Sequence, residues 1–101
     1  MKNIGVDLTK ISRFVAASDS FAQRILSPAE YSDYLKITNE KKALFLARAW
    51  AIKEAIFKAN NSYFSFSKIE LQKINHRWTF KNFSISISHD GDDLIAFVIE
   101  N

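Results

Sequence analysis

Glu54 and Lys58 stand one helical turn apart within Phe45–Ala59, an otherwise apolar run that also contains Arg48 and Lys53. The run is built from good helix formers and holds neither Gly nor Pro, so it reads as helix. At about 100° per residue it has three faces. Phe45, Ala49, Ile52 and Ile56 make one apolar stripe. Leu46, Trp50 and Phe57 make a second, with Lys53 at its edge. Ala47, Ala51, Glu54 and Lys58 make the third. Small residues on the third face leave room for a bulky group to approach, and one acid and one base would meet it. The plainest account of that pair is a surface ion bridge contributing about 0.3–0.5 kcal/mol. Two further reactive side chains lie far away in sequence. Asp7 sits in the short apolar run Ile4–Leu8, where a carboxylate would ordinarily cap the helix that follows. His89 follows the alternating run Phe83–Ser88, where a histidine is ordinarily a turn residue.

Only a fold could bring these groups together, and the chain offers the elements for one. Ile4–Leu8 reads as a short buried strand. Thr9–Ala17 reads as a first helix with Ile11, Phe14 and Val15 inward, and Phe21–Leu26 as a second helical turn. Ser27-Pro28-Ala29-Glu30 is a strong helix start, with Ser27 as cap, Pro28 at the first position and Glu30 closing a capping box. That helix runs to about Lys36. Thr38 then caps the long helix, which Asn60 and Asn61 end through left-handed conformations. Lys68–Ile74 alternates as a strand, Arg77–Lys81 is its short partner, and Phe83–Ser88 has period two. His89–Asp93 is a turn, with Asp90-Gly91 as its hairpin signal. Leu94–Glu100 is a nearly continuous apolar strand, central in its sheet or covered on both faces. The expected fold is α+β: an N-terminal strand, helices including one long central helix, then antiparallel strands, all in a single domain over residues 1–101.

Within the long run, Phe45-Leu46-Ala47, Trp50-Ala51, Lys53-Glu54-Ala55 and Lys58-Ala59 together resemble the signature helix of the 4′-phosphopantetheinyl transferases, specifically the small holo-acyl-carrier-protein synthases. Gly5-Val6-Asp7-Leu8 is similar to that family's N-terminal strand motif, and Arg13 stands where the family has an arginine. Phe21–Leu26 and Ser27–Glu30 match its next two segments. Ser86-Ile87-Ser88-His89 followed by Ile95–Val98 matches its C-terminal motif. Four features depart from the pattern. Ala49 stands where relatives carry Arg, with Arg48 one position earlier. Asn60-Asn61-Ser62-Tyr63 replaces a glycine-containing loop. Ile74–Phe83 is too short for an extra helix, and Lys10 replaces a Glu.

The resemblance implies a reaction: coenzyme A and an apo acyl carrier protein give the holo carrier protein and adenosine 3′,5′-bisphosphate. A carrier serine attacks the β-phosphorus. Such a transfer needs positioning and neutralisation of spread negative charge. By the resemblance Asp7 and Glu54 hold Mg²⁺, which takes one or two carboxylates and keeps sites for phosphate and water. Glu54, directly or through a water at the metal, is the candidate for taking the serine proton. Lys58 reaches the pyrophosphate, and His89, Arg48 and Lys53 are further coenzyme A contacts, although Lys53 points about 100° from Glu54 and suits another subunit or a structural role equally. Arg13 and Arg24, with Lys10 nearby, form a docking surface for the acidic carrier. The family makes homotrimers with sites at subunit contacts. The Leu46–Trp50–Phe57 stripe is therefore expected at such a contact or under the N-terminal segment. A second reading is a relative that binds coenzyme A or carrier protein without turnover.

Bulk properties narrow the field. Cys is absent, which excludes a thiol nucleophile and Cys-ligated metal and fits a cytoplasmic setting. No apolar run is long enough to span a membrane. The net charge of +3 suits a phosphorylated ligand or acidic partner. No stretch interleaves several Arg or Lys with exposed aromatics, which argues against a nucleic-acid partner.

Overall fold

The computed structural model describes residues 2–101. In chain order these are β1 (Asn3–Lys10), a 3-10 turn (Ile11–Phe14), α1 (Asp19–Ile25), α2 (Pro28–Lys36), α3 (Asn39–Ala59), a second 3-10 turn (Phe66–Lys68), β2 (Gln72–Ile74), β3 (Arg77–Thr79), β4 (Phe83–Asp90) and β5 (Asp93–Glu100). The architecture is α+β, with an antiparallel sheet of order β1-β5-β4 and a separate β2–β3 hairpin. Side chains alternate across the sheet. Leu94, Ala96 and Val98 of β5 and Phe83 and Ile85 of β4 are buried on one face. Gly5 and Thr9 of β1 are buried in register with Val98 and Leu94. On the other face Ile4, Val6, Leu8, Ile95 and Phe97 are exposed.

α3 packs on β1 and β5, and Ala47, Ala51 and Ala55 are fully buried. The sheet thus covers the small residues that seemed to leave room for a ligand. Gly5 makes the approach possible: a Cβ there would lie 1.9 Å from the Ala55 carbonyl oxygen. Trp50 packs under the N-terminal segment, with its ring 6.2 Å from Phe14 and 5.9 Å from Phe21.

Local chemistry sets most helix boundaries. Ser27 accepts from the Glu30 N–H while Glu30 accepts from the Ser27 N–H, the reciprocal box expected, and α2 runs over Pro28–Lys36. Thr38 occupies the cap position of α3 without a side-chain cap bond. Asn60 ends α3 in an extended conformation, φ −150°, so no left-handed stop exists there. Side-chain bonds replace it: Asn61 Nδ2 donates to the Phe57 carbonyl, and Asn60 Nδ2 holds the Glu100 carboxylate.

Several other expectations fail for non-local reasons. Thr9 and Lys10 stay in β1 because they pair with Leu94 and Asp93, and only a 3-10 turn follows. The Asp92 carboxylate fastens that turn, accepting from Ser12 N and Ser12 Oγ. Val15 is exposed. Over Lys68–Ile74 only the last three residues are strand, because Ile69 and Leu71 go into the core instead. His89 and Asp90 extend β4, leaving Gly91-Asp92 as the turn, with Gly91 at φ +58°. Of the two alternatives for the last apolar strand, β5 takes the first: it is central in the sheet, with one face covered. β1 likewise buries one face rather than two.

Candidate active site

Gly5 seats β1 on α3, and two residues further along the same strand face Asp7 meets the helix. Lys58 Nζ donates to Asp7 Oδ1 at 3.2 Å and to the Val6 carbonyl at 3.0 Å. The Asp7 side chain is 12% exposed, whereas that of Lys58 is 49% exposed. The second carboxylate oxygen, Asp7 Oδ2, is buried without a hydrogen-bond partner. Such an atom is costly to leave unpaired. Asp7 therefore does not cap a helix; it lies mid-strand with one oxygen tethered and one unused.

Glu54 is half-buried one turn before Lys58. Its pKa is raised, first by burial and then by the negative charge of Asp7; Lys58 and Arg13 pull it back. The site therefore holds two acids that repel each other, partly neutralised by two bases. Arg13 arrives on the first 3-10 turn, with its guanidinium 4.9 Å from the Trp50 ring centre. Among the described residues no group of three or more His, Cys, Asp or Glu side chains is placed to hold a metal ion. A pair of carboxylates with a buried, unused oxygen suits a hard divalent cation that keeps its other positions for water and phosphate. These residues fit such an ion.

A family model described as the 4′-phosphopantetheinyl transferase superfamily matches residues 3–98. The chain belongs to this family. The holo-acyl-carrier-protein synthase of Mycoplasma mobile is 57% identical over 100 residues, covering 99% of this chain and 90% of the relative. That of Mycoplasmopsis pulmonis is 50% identical, covering 94% and 86%. Among solved structures, a holo-acyl-carrier-protein synthase from Bacillus anthracis in complex with coenzyme A (3′,5′-ADP) superposes with a TM-score of 0.82 at 26% identity, covering 96% of this chain and 93% of that one.

Not every group expected to serve a phosphopantetheinyl transferase joins the cluster. Lys53 does not reach solvent. It is fully buried, and its ammonium donates to Ile25 O at 2.7 Å, Glu30 Oε1 at 2.6 Å and Phe66 O at 3.0 Å. All three of its protons are engaged, and none remains for coenzyme A. Arg48 projects from another side of α3 and lies 5.2 Å from the Trp78 ring centre, with burial lowering its pKa. His89 is exposed at the end of β4, in register with Leu94, two strands or about 10 Å of sheet from β1. One chain alone does not join it to Asp7, Glu54 and Lys58. Arg24 lies over Phe21 at 5.8 Å, so Arg13 and Arg24 flank one aromatic cluster of Phe14, Phe21 and Trp50. Lys10 is committed to Asp93 across the β1–β5 pair.

Sequence reasoning gave Glu30 only a capping role. It is also the buried counter-ion of Lys53. The available signal was Lys53 itself, a cation between Ile52 and the apolar stripes, which requires a carboxylate partner from elsewhere in the fold.

Proposed function

We propose that this chain is a holo-acyl-carrier-protein synthase, moving 4′-phosphopantetheine from coenzyme A to a serine of an apo acyl carrier protein and releasing adenosine 3′,5′-bisphosphate. The observation carrying this reading is the meeting of Asp7 with Lys58 beside Glu54, from opposite parts of the chain. Identity of up to 57% with named synthases supports it, as does the fold shared with a coenzyme A complex.

In this reading Asp7 and Glu54 hold Mg²⁺. The ion supplies charge neutralisation for the pyrophosphate when bound. Glu54, directly or through a water, accepts the proton of the carrier serine, a role supported by its place beside Asp7 and Lys58. The serine oxygen bonds to the β-phosphorus as the phosphorus–oxygen bond to the adenosine bisphosphate breaks. Lys58, half-exposed, meets the charge growing on that leaving group. Arg13 and Arg24 receive the acidic carrier. The exposed apolar outer face of the sheet supports the expected homotrimer, because Ile4, Val6, Leu8, Ile95 and Phe97 form a contiguous patch of the kind that marks an interface. Assembly would also give His89 a route to a neighbouring chain's site. A cytoplasmic location belongs to the same reading; no helix among the described residues is long and apolar enough to cross a membrane.

The test is mass spectrometry of an apo acyl carrier protein after incubation with the chain, coenzyme A and Mg²⁺. The expected result is a gain of one phosphopantetheine, lost with EDTA and with Glu54→Ala. No gain with the carrier of the same organism overturns the reading. It would favour a binding protein without turnover, a role that Ala49 and the glycine-free Asn60–Tyr63 loop would then explain.

A further inference from the structure

Lys53 and Glu30 take no part in the transfer as derived, yet they tie together much of the helical layer. Glu30 is 7% exposed. Its Oε1 accepts from Lys53 and from the Ser27 N–H, and its Oε2 accepts from the Leu71 N–H at 2.7 Å. Lys53 adds its bonds to the Ile25 and Phe66 carbonyls. The pair thereby joins the end of α1, the start of α2, the middle of α3, the second 3-10 turn and the segment entering β2. Stability alone is a weak explanation, because desolvation offsets much of the attraction in a buried ion pair and apolar replacements of similar volume often do as well. What the pair adds is direction. Hydrogen bonds at fixed angles resist a rotation that apolar packing tolerates.

The direction matters because Lys53 and Glu54 are consecutive. Successive helical side chains diverge by about 100°, so Lys53 turned toward α2 leaves Glu54 turned toward β1. Any roll of α3 that loosened Lys53 would swing Glu54 by the same angle. On the opposite flank, the contact of Gly5 with Ala55 fixes how closely β1 approaches, and the side-chain tether there, Lys58 to Asp7 and the Val6 carbonyl, is half-exposed where the Lys53–Glu30 pair is buried. We propose that the Lys53–Glu30 pair is a positioning device for the transfer site: it sets the roll of α3 so that Glu54 stays opposed to Asp7 at the spacing a divalent cation needs. The inference rests on the reading of Asp7 and Glu54 as cation ligands.

The experiment measures Mn²⁺ binding by electron paramagnetic resonance, together with transfer kinetics, for the unaltered chain and four variants. Glu54→Ala removes a ligand. Lys53→Met breaks the pair, and Lys53→Met with Glu30→Gln leaves no unpaired buried charge. Ile85→Ala weakens the core at β4, away from α2 and Glu54, and shows what loss of stability alone does. All are assayed at a temperature where circular dichroism shows them folded. The unaltered chain should bind Mn²⁺ and Glu54→Ala should not. Both Lys53 variants should bind it about tenfold more weakly, with kcat reduced and KM for coenzyme A little changed, whereas Ile85→Ala should keep both. If Lys53→Met does not fold, the double variant decides. Unaltered Mn²⁺ affinity in the folded double variant overturns the proposal, as does failure of both Lys53 variants to fold, which would assign the pair to stability. Absence of Mn²⁺ binding by the unaltered chain overturns the cation reading and this inference with it.

Discussion

Charge balance around Glu54 sets both its chemistry and its cost to the fold. Its folded pKa lies above the ordinary glutamate value of about 4.3. The native state therefore holds its proton more tightly than the unfolded chain does. The contribution to stability is then present at low pH and is lost as pH rises through the folded pKa. At pH 7 the ionised group opposes folding. Glu54→Gln should accordingly hold or raise the melting temperature at pH 7, with the gain vanishing below pH 4, while transfer falls by about 10²–10⁴; thermal melts across pH check the first part and carrier mass analysis the second. Lys58→Met should do the opposite to stability, lowering the melting temperature at neutral pH because it strips Asp7 and Glu54 of a shared neighbour, and less so when the carboxylates are protonated. Asp7, Glu54 and Lys58 were singled out through the family resemblance, because residue type and spacing alone read Asp7 as a helix cap and Glu54–Lys58 as a surface ion bridge. The role of Lys53 was not legible: its position on α3 allowed a ligand, a subunit contact or a structural partner, and only the placement of Glu30 distinguishes them.

Packing of β1 on α3 carries the site, and one residue permits it. Gly5→Ala would drive a Cβ into the Ala55 carbonyl, a backbone atom that cannot swing aside. The expected loss is about 1–3 kcal/mol or more, read in urea melts, with transfer reduced as Asp7 shifts away from Lys58. Helix α2 was readable to its ends because Ser27, Pro28 and Glu30 act on their own neighbours. The extension of β1 through Lys10 was not, since its partners Leu94 and Asp93 lie at the far end of the chain. The end of α3 was read in place but for the wrong reason: Asn60 and Asn61 stop it through side-chain bonds, and the left-handed non-glycine residues are Asn75, His76 and Lys81.

For the molecule as a whole, the uncovered sheet face and the basic cluster each lead to a measurement. Val6→Lys with Phe97→Lys puts charge into the apolar patch and should turn a trimer into monomers in sedimentation equilibrium, with loss of transfer. A monomeric unaltered chain at micromolar concentration would sink the trimer reading. Carrier modification should slow as salt rises, and Arg13→Ala with Arg24→Ala should flatten that dependence. The sheet order has a separate consequence in time. Among the described residues β1 has one strand partner, β5, which follows every other described strand. During synthesis Asp7 emerges well before its strand partner, and β1 has no strand to pair with until Asp93–Glu100 has left the ribosome. Such long-range closure is slow and leaves apolar edges open meanwhile. A nascent chain halted before Leu94 should therefore carry Asp7, Glu54 and Lys58 and still be inert, with β1 as the segment that proteases and chaperones meet first.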